Sequence, residues 1–177
     1  MPEVNPFRRD PVVVEAKGFG VVAIPYAPAS DWIMAVLTGG PDTMVHTLCR
    51  AKDRAPLIDA LINDVITAED LSQASYDALD SVAPFRWWET TRLIMLSAAQ
   101  AFTGRTVVAG MDPSALTIGQ WCAGVYHLAT ENADDKGKFK FDAMLSDPPA
   151  GVEDDDDWGT GDSAALFAAA RSMPGQK

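Results

Sequence analysis

The chain contains two histidines and two cysteines, whose side chains offer the nitrogen and sulfur ligands that zinc prefers in proteins. His46 and Cys49 form one close pair along the sequence, and Cys122 and His127 form another. However, residues five apart on a helix point about 140° away from each other, so Cys122 and His127 would face different sides. Cys122 also belongs to an apolar stripe. We therefore interpret the cysteines as small buried residues and predict no metal site.

Nucleophilic catalysis would need a serine or cysteine beside a base that a third group orients. Neither histidine lies in a motif of that kind, and Cys49 has only a basic neighbourhood that includes Arg50 and Arg54. The Gly-Phe-Gly segment at residues 18–20 is a fragment of a phosphate-binding fingerprint, but the helix that such a site requires does not follow it. We therefore predict a protein that is not an enzyme and needs no cofactor. A small enzyme or metal-binding protein is the alternative.

The acidic composition limits the classes of partner. The formal net charge is −11, which argues against nucleic acid and anionic membranes. Seven acidic residues lie between Asp147 and Asp162, a stretch without any basic residue. The two cysteines suit a reducing compartment, and no stretch of about 18 apolar residues is present. We expect a soluble protein of the cytoplasm.

Changes in composition divide the chain into three parts. Residues 1–10 predict a flexible arm, residues 11–149 a single helical domain, and residues 150–177 a disordered acidic linker with an Ala-rich tail. Within the domain, residues 12–26 predict a β-hairpin, because two β-branched runs flank a glycine-containing turn. The run from Asp154 to Asp157 lacks the alternating ligands and closing glutamate of a calcium loop, so we interpret it as linker.

Helical periodicity dominates the rest of the domain, and we expect a mainly α fold with about five to seven helices. The apolar residues between 57 and 66 predict a helix that begins at Pro56. Thr67 and Asp70 have the spacing of a capping box, and Thr117 is a predicted N-cap. Residues 133–146 predict the last core helix, which has a basic face. The helix after Thr117 has an apolar stripe of Ile118, Trp121, Cys122, Val125 and Leu128.

The stretch from Pro84 to Phe102 is predicted as one aromatic-rich helix, with Pro84 in its first turn and Gly104 as its cap. Apolar residues cover most of its circumference, so we expect a largely enclosed helix at the centre of the core. Its polar residues, among them Thr90 and Ser97, share one narrow sector of the helix.

Three residues of this helix are candidate partner-binding residues: Trp87, Trp88 and Arg92. Tryptophan and arginine are common at binding hot spots. Arg92 lies inside the apolar arc, where we expect it to contact the Trp88 ring or a buried carboxylate. The alternative is that both tryptophans are ordinary core residues.

Several blocks of the sequence resemble the tail assembly chaperones of long-tailed (siphovirus-type) actinobacterial phages. The resemblance covers about residues 12–153, and each block is a helix-packing pattern rather than a catalytic signature. After the hairpin, the blocks are IPYAPASDWIMAVL (Ile24 to Leu37), PFRWWETTRLI (Pro84 to Ile94), MDPSALTIGQWCAGVYHLATENADDKGKFKFDAML (Met111 to Leu145) and DPPAGVE (Asp147 to Glu153).

The resemblance implies a non-enzymatic helper that binds the tape measure protein and keeps this long helical protein soluble while tail tube subunits polymerise around it. It also implies contact with the tail tube protein and with a longer form of the chaperone made by ribosomal frameshifting. Such proteins act in the host cytoplasm, are absent from the mature virion and need no nucleic acid or membrane. The family supplies no catalytic, cofactor-binding or metal-binding residues. A structural phage tail or connector protein is the alternative.

Overall fold

The computed structural model describes residues 9–150 and Val152. A first structural unit ends at Asp147, and a second begins at Pro148. Residues 1–8 of the predicted arm and nearly all of the predicted acidic tail lie outside the described residues. The elements of the first unit are β1 (Val12–Ala16), β2 (Gly20–Ile24), α1 (Ala29–Gly39), a 3₁₀ turn (Pro41–Thr43), α2 (Met44–Leu48), α3 (Ala51–Ile62), α4 (Ala68–Val82), α5 (Trp87–Ala98), α6 (Gln100–Val108), α7 (Ile118–Thr130) and α8 (Asp135–Ser146).

These elements confirm the predicted mainly α fold with a short N-terminal hairpin. The described residues contain eight α-helices, because the stretch predicted as one helix from Pro84 to Phe102 is divided between α5 and α6. None of these helices combines the length and the apolar composition that a membrane crossing requires.

The hairpin is antiparallel, with Val14 opposite Val22, and its inner face packs against α4. Alternate residues of each strand point into the core, as period-two patterning requires. The turn approaches the loop after α3 closely: a Cβ atom on Gly18 would lie 2.7 Å from the carbonyl oxygen of Val65. Gly18 also has a φ of +85°, which glycine adopts without strain. The buried residues of the hairpin are Val12, Val14, Ala16, Val22 and Ile24.

Two predicted helix starts are confirmed. The Thr67 hydroxyl accepts a hydrogen bond from the Asp70 N–H at 3.1 Å, and the Asp70 carboxylate accepts one from the Thr67 N–H at 3.0 Å. The same reciprocal pair joins Thr117 and Gln120 at the start of α7, at 3.2 and 3.0 Å. Each pair satisfies two N–H groups that a helix N-terminus leaves without a partner.

The predicted start of α3 is wrong by more than one turn. The helix begins at Ala51 and contains Pro56 in its interior, although proline removes a hydrogen-bond donor there. It ends at Ile62, so the apolar run to residue 66 does not stay on one helical face. Ile62 and Val65 are exposed, whereas Ile66 is buried. Periodicity alone predicted a helix that extends to residue 66, whereas the chain after Ile62 forms a turn that packs beside the hairpin.

Helix α5 is the centre of the fold, as predicted. It packs against α1, α4, α6, α7 and α8, and Leu93 and Ile94 are completely buried. The predicted extent of this helix is nevertheless wrong at both ends. It begins at Trp87 with Arg86 as its N-cap, so Pro84 precedes the helix.

The chain breaks at Ala99, where ψ is 132° and the backbone is extended. A second helix, α6, then starts at Gln100, so Phe102 and Gly104 lie within α6. Instead of Gly104, it is Gly110 that follows α6 with a left-handed backbone, at a φ of +69°. A side-chain hydroxyl contacts the backbone on both sides of the break. Thr103 Oγ1 donates to the carbonyl oxygen of Ser97 at 3.3 Å and to that of Ala99 at 3.2 Å, which also accepts from the N–H groups of Phe102 and Thr103.

The polar sector of α5 faces the core rather than solvent. Thr90 and Ser97 are buried, whereas Met95 is exposed. The buried hydroxyl of Ser97 donates to the Ile94 carbonyl at 2.7 Å and accepts a bond from Trp121 Nε1 at 3.2 Å. A small hydroxyl residue with such partners can be buried at low cost, so polarity alone did not identify the exposed face.

The predicted apolar stripe of α7 is buried along its whole length and is confirmed. Helix α8 follows, with Asp134 as its N-cap: the Asp134 carboxylate accepts a hydrogen bond from the Gly137 N–H at 2.7 Å. Only one face of α8 meets the core, through Leu145 and the half-buried Phe141. Phe139 and Met144 of α8 are exposed, so this predicted core helix is only partly buried.

Candidate partner-binding surface

The two tryptophans of α5 belong to an aromatic cluster at the junction of α4 and α5. The Trp87 ring stacks on Tyr76 of α4, with 3.8 Å between ring centroids and 10° between ring planes. Trp88 meets Trp87 edge-on at 5.7 Å, and the Arg86 guanidinium lies 5.0 Å from the Trp88 centroid. Trp88 is buried and Trp87 is partly buried. The cluster therefore stabilises the α4–α5 junction through stacking and cation–π contacts.

Arg92 connects α5 to the C-terminal end of α8. Its Nη1 donates hydrogen bonds to the carbonyl oxygens of Met144 at 2.9 Å and Leu145 at 2.7 Å. The last carbonyls of a helix lack intrahelical donors, and the helix dipole favours a cation beside them. The structure thus differs from the predicted contact with the Trp88 ring, because Arg86 takes that position and Arg92 binds main-chain oxygens. The predicted alternative was a buried carboxylate, and the charge of Arg92 does act on partly buried Glu89, where it opposes the rise in the pKa of that carboxyl.

The three candidate partner-binding residues, Trp87, Trp88 and Arg92, thus all have internal contacts. For Trp88, the alternative interpretation as a core residue is confirmed by its burial. A direct role of the three residues toward a partner stays a prediction.

Two carboxylates lie close to the aromatic cluster and are partly withdrawn from water. Burial raises the pKa of Asp80 to about 6, although a hydrogen bond from the Trp87 N–H and the charge of Arg86 oppose that rise. Burial also raises the pKa of Glu89, whose Oε2 accepts a hydrogen bond from the Arg86 N–H at 2.9 Å. Asp80 Oδ1 and Trp88 Nε1 are buried without a hydrogen-bond partner among the described residues. A buried polar atom without a hydrogen-bond partner destabilises the fold, so these two atoms lower the stability of the otherwise well-packed α4–α5 junction.

A shallow groove runs between α6 and the end of α7. We call it the α6 groove; its lining is Ala101, Gly104, Val108 and Leu128, with Arg105 and Glu131 at one edge. Arg105 forms an ion pair with Glu131 at 2.8 Å and also donates to the Leu128 carbonyl, so the charged edge is fixed in place. The i, i+3, i+7 spacing of Ala101, Gly104 and Val108 places these small apolar residues on one face of α6.

The α6 groove is open, and its lining residue Val108 is 90% exposed. Val107, the preceding residue of α6, is 70% exposed. A Cβ atom on Gly104 would meet no heavy atom within 4 Å. A glycine inside a helix is about 1 kcal/mol less favourable than an alanine. No described residue lies so close to Gly104 that an alanine could not fit there. The groove is thus lined by apolar residues, and the Arg105–Glu131 ion pair holds its charged edge. Gly104 leaves room for another helix to approach closely.

The four residues that suggested zinc do not form such a site. Cys49 and Cys122 are buried free thiols, whereas His127, on the same helix as Cys122, is exposed. Burial raises the pKa of both thiols above the ordinary value of a cysteine. Among the described residues, no group of three or more His, Cys, Asp or Glu side chains could hold a metal ion.

The chain was compared with protein-family models, with curated proteins and with solved structures, and none of them matched.

The sequence analysis missed the exposed surface of α6. The predicted cap at Gly104 ended the helix before Val107 and Val108, so these two residues were not predicted to lie on a helix surface. One signal was present: the buried residues Phe102 and Thr106 are four apart, which is helical spacing. Two glycines and a proline between residues 104 and 113 obscured that signal.

Proposed function

We propose that this protein is a tail assembly chaperone that binds a helical segment of the tape measure protein along the α6 groove. The proposal begins from the sequence resemblance over residues 12–153. The observation that carries it furthest is the open apolar groove beside Gly104, which offers a helix a close approach to the backbone of α6. A hydrophobic helix in an apolar groove is a common mode of peptide recognition.

The proposed action is shielding, without any chemical step. A long helical protein with apolar faces aggregates when those faces meet water, and a groove that covers one segment keeps that segment from self-association. Ala101, Val108 and Leu128 supply the apolar area of the groove. Because Ala101, Gly104 and Val108 are exposed, a helix can occupy the groove without rearrangement of the core.

The test is co-expression of the full chain with the tape measure protein of the same genome, followed by affinity purification of the tagged chaperone. The expected result is co-elution of the two proteins and a larger soluble fraction of the tape measure protein. If the two never co-elute and purified virions contain this chain, it is a structural tail or connector protein and the proposal fails.

A matched pair of variants locates the binding surface. Val108 and Ile62 are both exposed valine or isoleucine residues at the last position of their helices. Val108→Ser should reduce co-elution because it removes apolar area from the groove. Ile62→Ser should leave co-elution unchanged. Equal behaviour of the two variants would exclude the α6 groove as the contact surface.

A further inference from the structure

Helix α3 is held to the rest of the domain along one narrow face. Its main contact with another helix is with the short α2. Leu57 and Ala60 are its buried residues, and Leu61 is half-buried. At about 100° per residue, these three side chains share a sector of about 100° on the helix. The greater part of the circumference of α3 is therefore in solvent.

An apolar stripe runs along the open side of α3. Steps of four, three and four residues keep its members within a sector of about 60°, which is centred about 140° from the buried face. Ile62 is 72% exposed and Ile58 is 37% exposed. We call this sector the α3 stripe; its residues are Ala51, Ala55, Ile58 and Ile62, and all four are exposed.

The side chains of the α3 stripe are self-complementary in size. The two alanines lie in the first half of the helix and the two isoleucines in the second half. In an antiparallel pair of α3 helices with a two-fold axis between residues 56 and 57, Ala55 lies opposite Ile58 of the second copy and Ala51 opposite Ile62. Each layer then joins a small and a large residue, which fills the contact along its whole length. A parallel pair would place alanine opposite alanine and leave a gap there.

The charges beside the α3 stripe are self-complementary as well. Lys52 and Asp59 border it on the same side, two turns apart, and both are exposed. Within the part of the chain that the structure describes, neither forms an ion pair. A two-fold axis brings this border beside the same border of the second copy, in the reverse direction, so each Lys52 lies opposite an Asp59. On the other border, the Arg54 guanidinium donates to the Thr47 carbonyl oxygen at 2.9 Å, which holds it toward α2.

From this arrangement we infer that the α3 stripe is a contact between two copies of this chain, which pair antiparallel along α3 about a two-fold axis. The 12 residues of α3 span about 18 Å. A contact along one short helix is at the small end of specific interfaces, so the dimer is reversible and depends on concentration. The inference goes beyond the proposed function, since it concerns another helix and a second copy, and the α6 groove has no part in it.

Sedimentation velocity of the full chain between about 1 and 200 µM tests the inference. The average sedimentation coefficient of the wild type should rise with concentration. Ile62→Ser should weaken self-association at least tenfold, because the substitution removes an apolar side chain from both copies. Val108→Ser, the corresponding change at the end of α6, is the matched control and should associate as the wild type does. Both variants alter exposed residues, and circular dichroism checks that they fold.

A charge exchange tests the antiparallel direction. K52D and D59K should each weaken self-association at about 50 mM NaCl, because each places like charges opposite one another in two places. An equimolar mixture of the two variants restores opposite charges at both places. The mixture should therefore associate about threefold more tightly than either variant alone. Positions 52 and 59 do not meet in a parallel pair, so absence of this recovery would exclude the antiparallel contact.

Three further outcomes would overturn the inference. The first is a wild-type sedimentation coefficient that is constant over the whole concentration range. The second is self-association that Val108→Ser removes and Ile62→Ser leaves unchanged, which would place the second copy in the α6 groove. The third is a monomeric wild type whose co-elution with the tape measure protein is lost in Ile62→Ser, which would make that protein the occupant of the stripe. Self-association is measured without the tape measure protein, so the inference and the proposed function can fail separately.

Discussion

Helices α5 and α6 are separated only by Ala99, yet they differ in how much apolar surface they expose. Helix α5 lies among five other helices, and its Trp88 is buried. The shorter α6 packs against α5 and α7 and leaves Val107 and Val108 in solvent. The comparison teaches that the number of neighbouring elements decides exposure, whatever the apolar content of the helix. Exposed apolar surface is therefore found on α6.

The largest expected effect comes from truncation of the tryptophan at the α4–α5 junction. Trp88→Ala should lower the free energy of unfolding by about 3–5 kcal/mol, because it leaves a cavity in the core. Val108→Ala, the matched change on α6, should cost about 0.5 kcal/mol or less, since Val108 is already solvated. Urea unfolding monitored by circular dichroism measures both. Similar losses for the two variants would contradict the contrast between the helices.

Arg92 provides the next largest effect and tests whether α5 holds α8 in place. Arg92→Ala removes two charge-assisted hydrogen bonds to carbonyl oxygens, so we expect a loss of about 1.5–3 kcal/mol. Amide hydrogen exchange should accelerate in α8 more than in α3, because only α8 loses an anchor. Arg92→Lys keeps the charge and a donor and should restore part of the loss. Uniform acceleration across the domain would show that Arg92 serves general packing instead.

The pH dependence of stability tests how strongly the buried carboxyl of Asp80 destabilises the α4–α5 junction. Its pKa is about 6 in the folded chain and near 3.8 when unfolded, so folding favours the protonated form. That contribution is fully present below pH 3.8 and is lost as the pH rises through 6. Asp80→Asn should therefore stabilise the protein at pH 7 by on the order of 1–2 kcal/mol, a figure reduced for solvent screening of a partly exposed group.

The difference in the free energy of unfolding between Asp80→Asn and the wild type should depend on pH. Asparagine retains an oxygen that can accept a hydrogen bond from the backbone N–H of Trp87. The gain in stability should therefore disappear near pH 4, where Asp80 of the folded wild type is protonated. Urea unfolding of both proteins between pH 4 and 7 measures the difference. A gain that is the same at every pH would mean that the carboxyl charge has no part in it.

The sequence predicted those features that depend on local chemistry. The hairpin followed from β-branched runs around a glycine turn, and the helix starts at Thr67 and Thr117 followed from capping residues. The apolar stripe of α7 and the central position of α5 followed from periodicity. Each of these rests on residues within a few positions of each other, so one chain without coordinates was enough.

The features that failed depend on long-range partners. Ser97 is buried because Trp121, 24 residues away, donates to its hydroxyl. Arg92 binds carbonyl oxygens at the end of α8, 52 and 53 residues away. The break at Ala99 and the exposed faces of α6 and α8 likewise depend on which elements lie nearby. Spacing along the sequence does not encode these distances, and the candidate surface was missed for that reason.

The smallest expected effect sharpens the comparison, because it separates stability from binding on α6. Gly104→Ala should raise the free energy of unfolding by about 0.5–1 kcal/mol, since alanine favours helix and its Cβ would meet nothing within 4 Å. Gly124→Ala in α7 is the matched control. There the new Cβ would lie 2.5 Å from Met111 Cε, so part of the same gain is lost to displacement of that side chain.

If the proposed function holds, the two glycines should also differ in their effect on binding of the tape measure protein. A methyl group on Gly104 would stand between the backbone of α6 and a helix seated in the groove, so co-elution should fall although the folded protein itself is more stable. Gly124→Ala should leave co-elution unchanged, because Gly124 faces Met111 within the domain. Thermal unfolding and co-purification measure the two quantities separately. If Gly104→Ala stabilised the fold and bound as the wild type does, the glycine would have no role in close approach, and the groove would have to accept its partner through Val107 and Val108 alone.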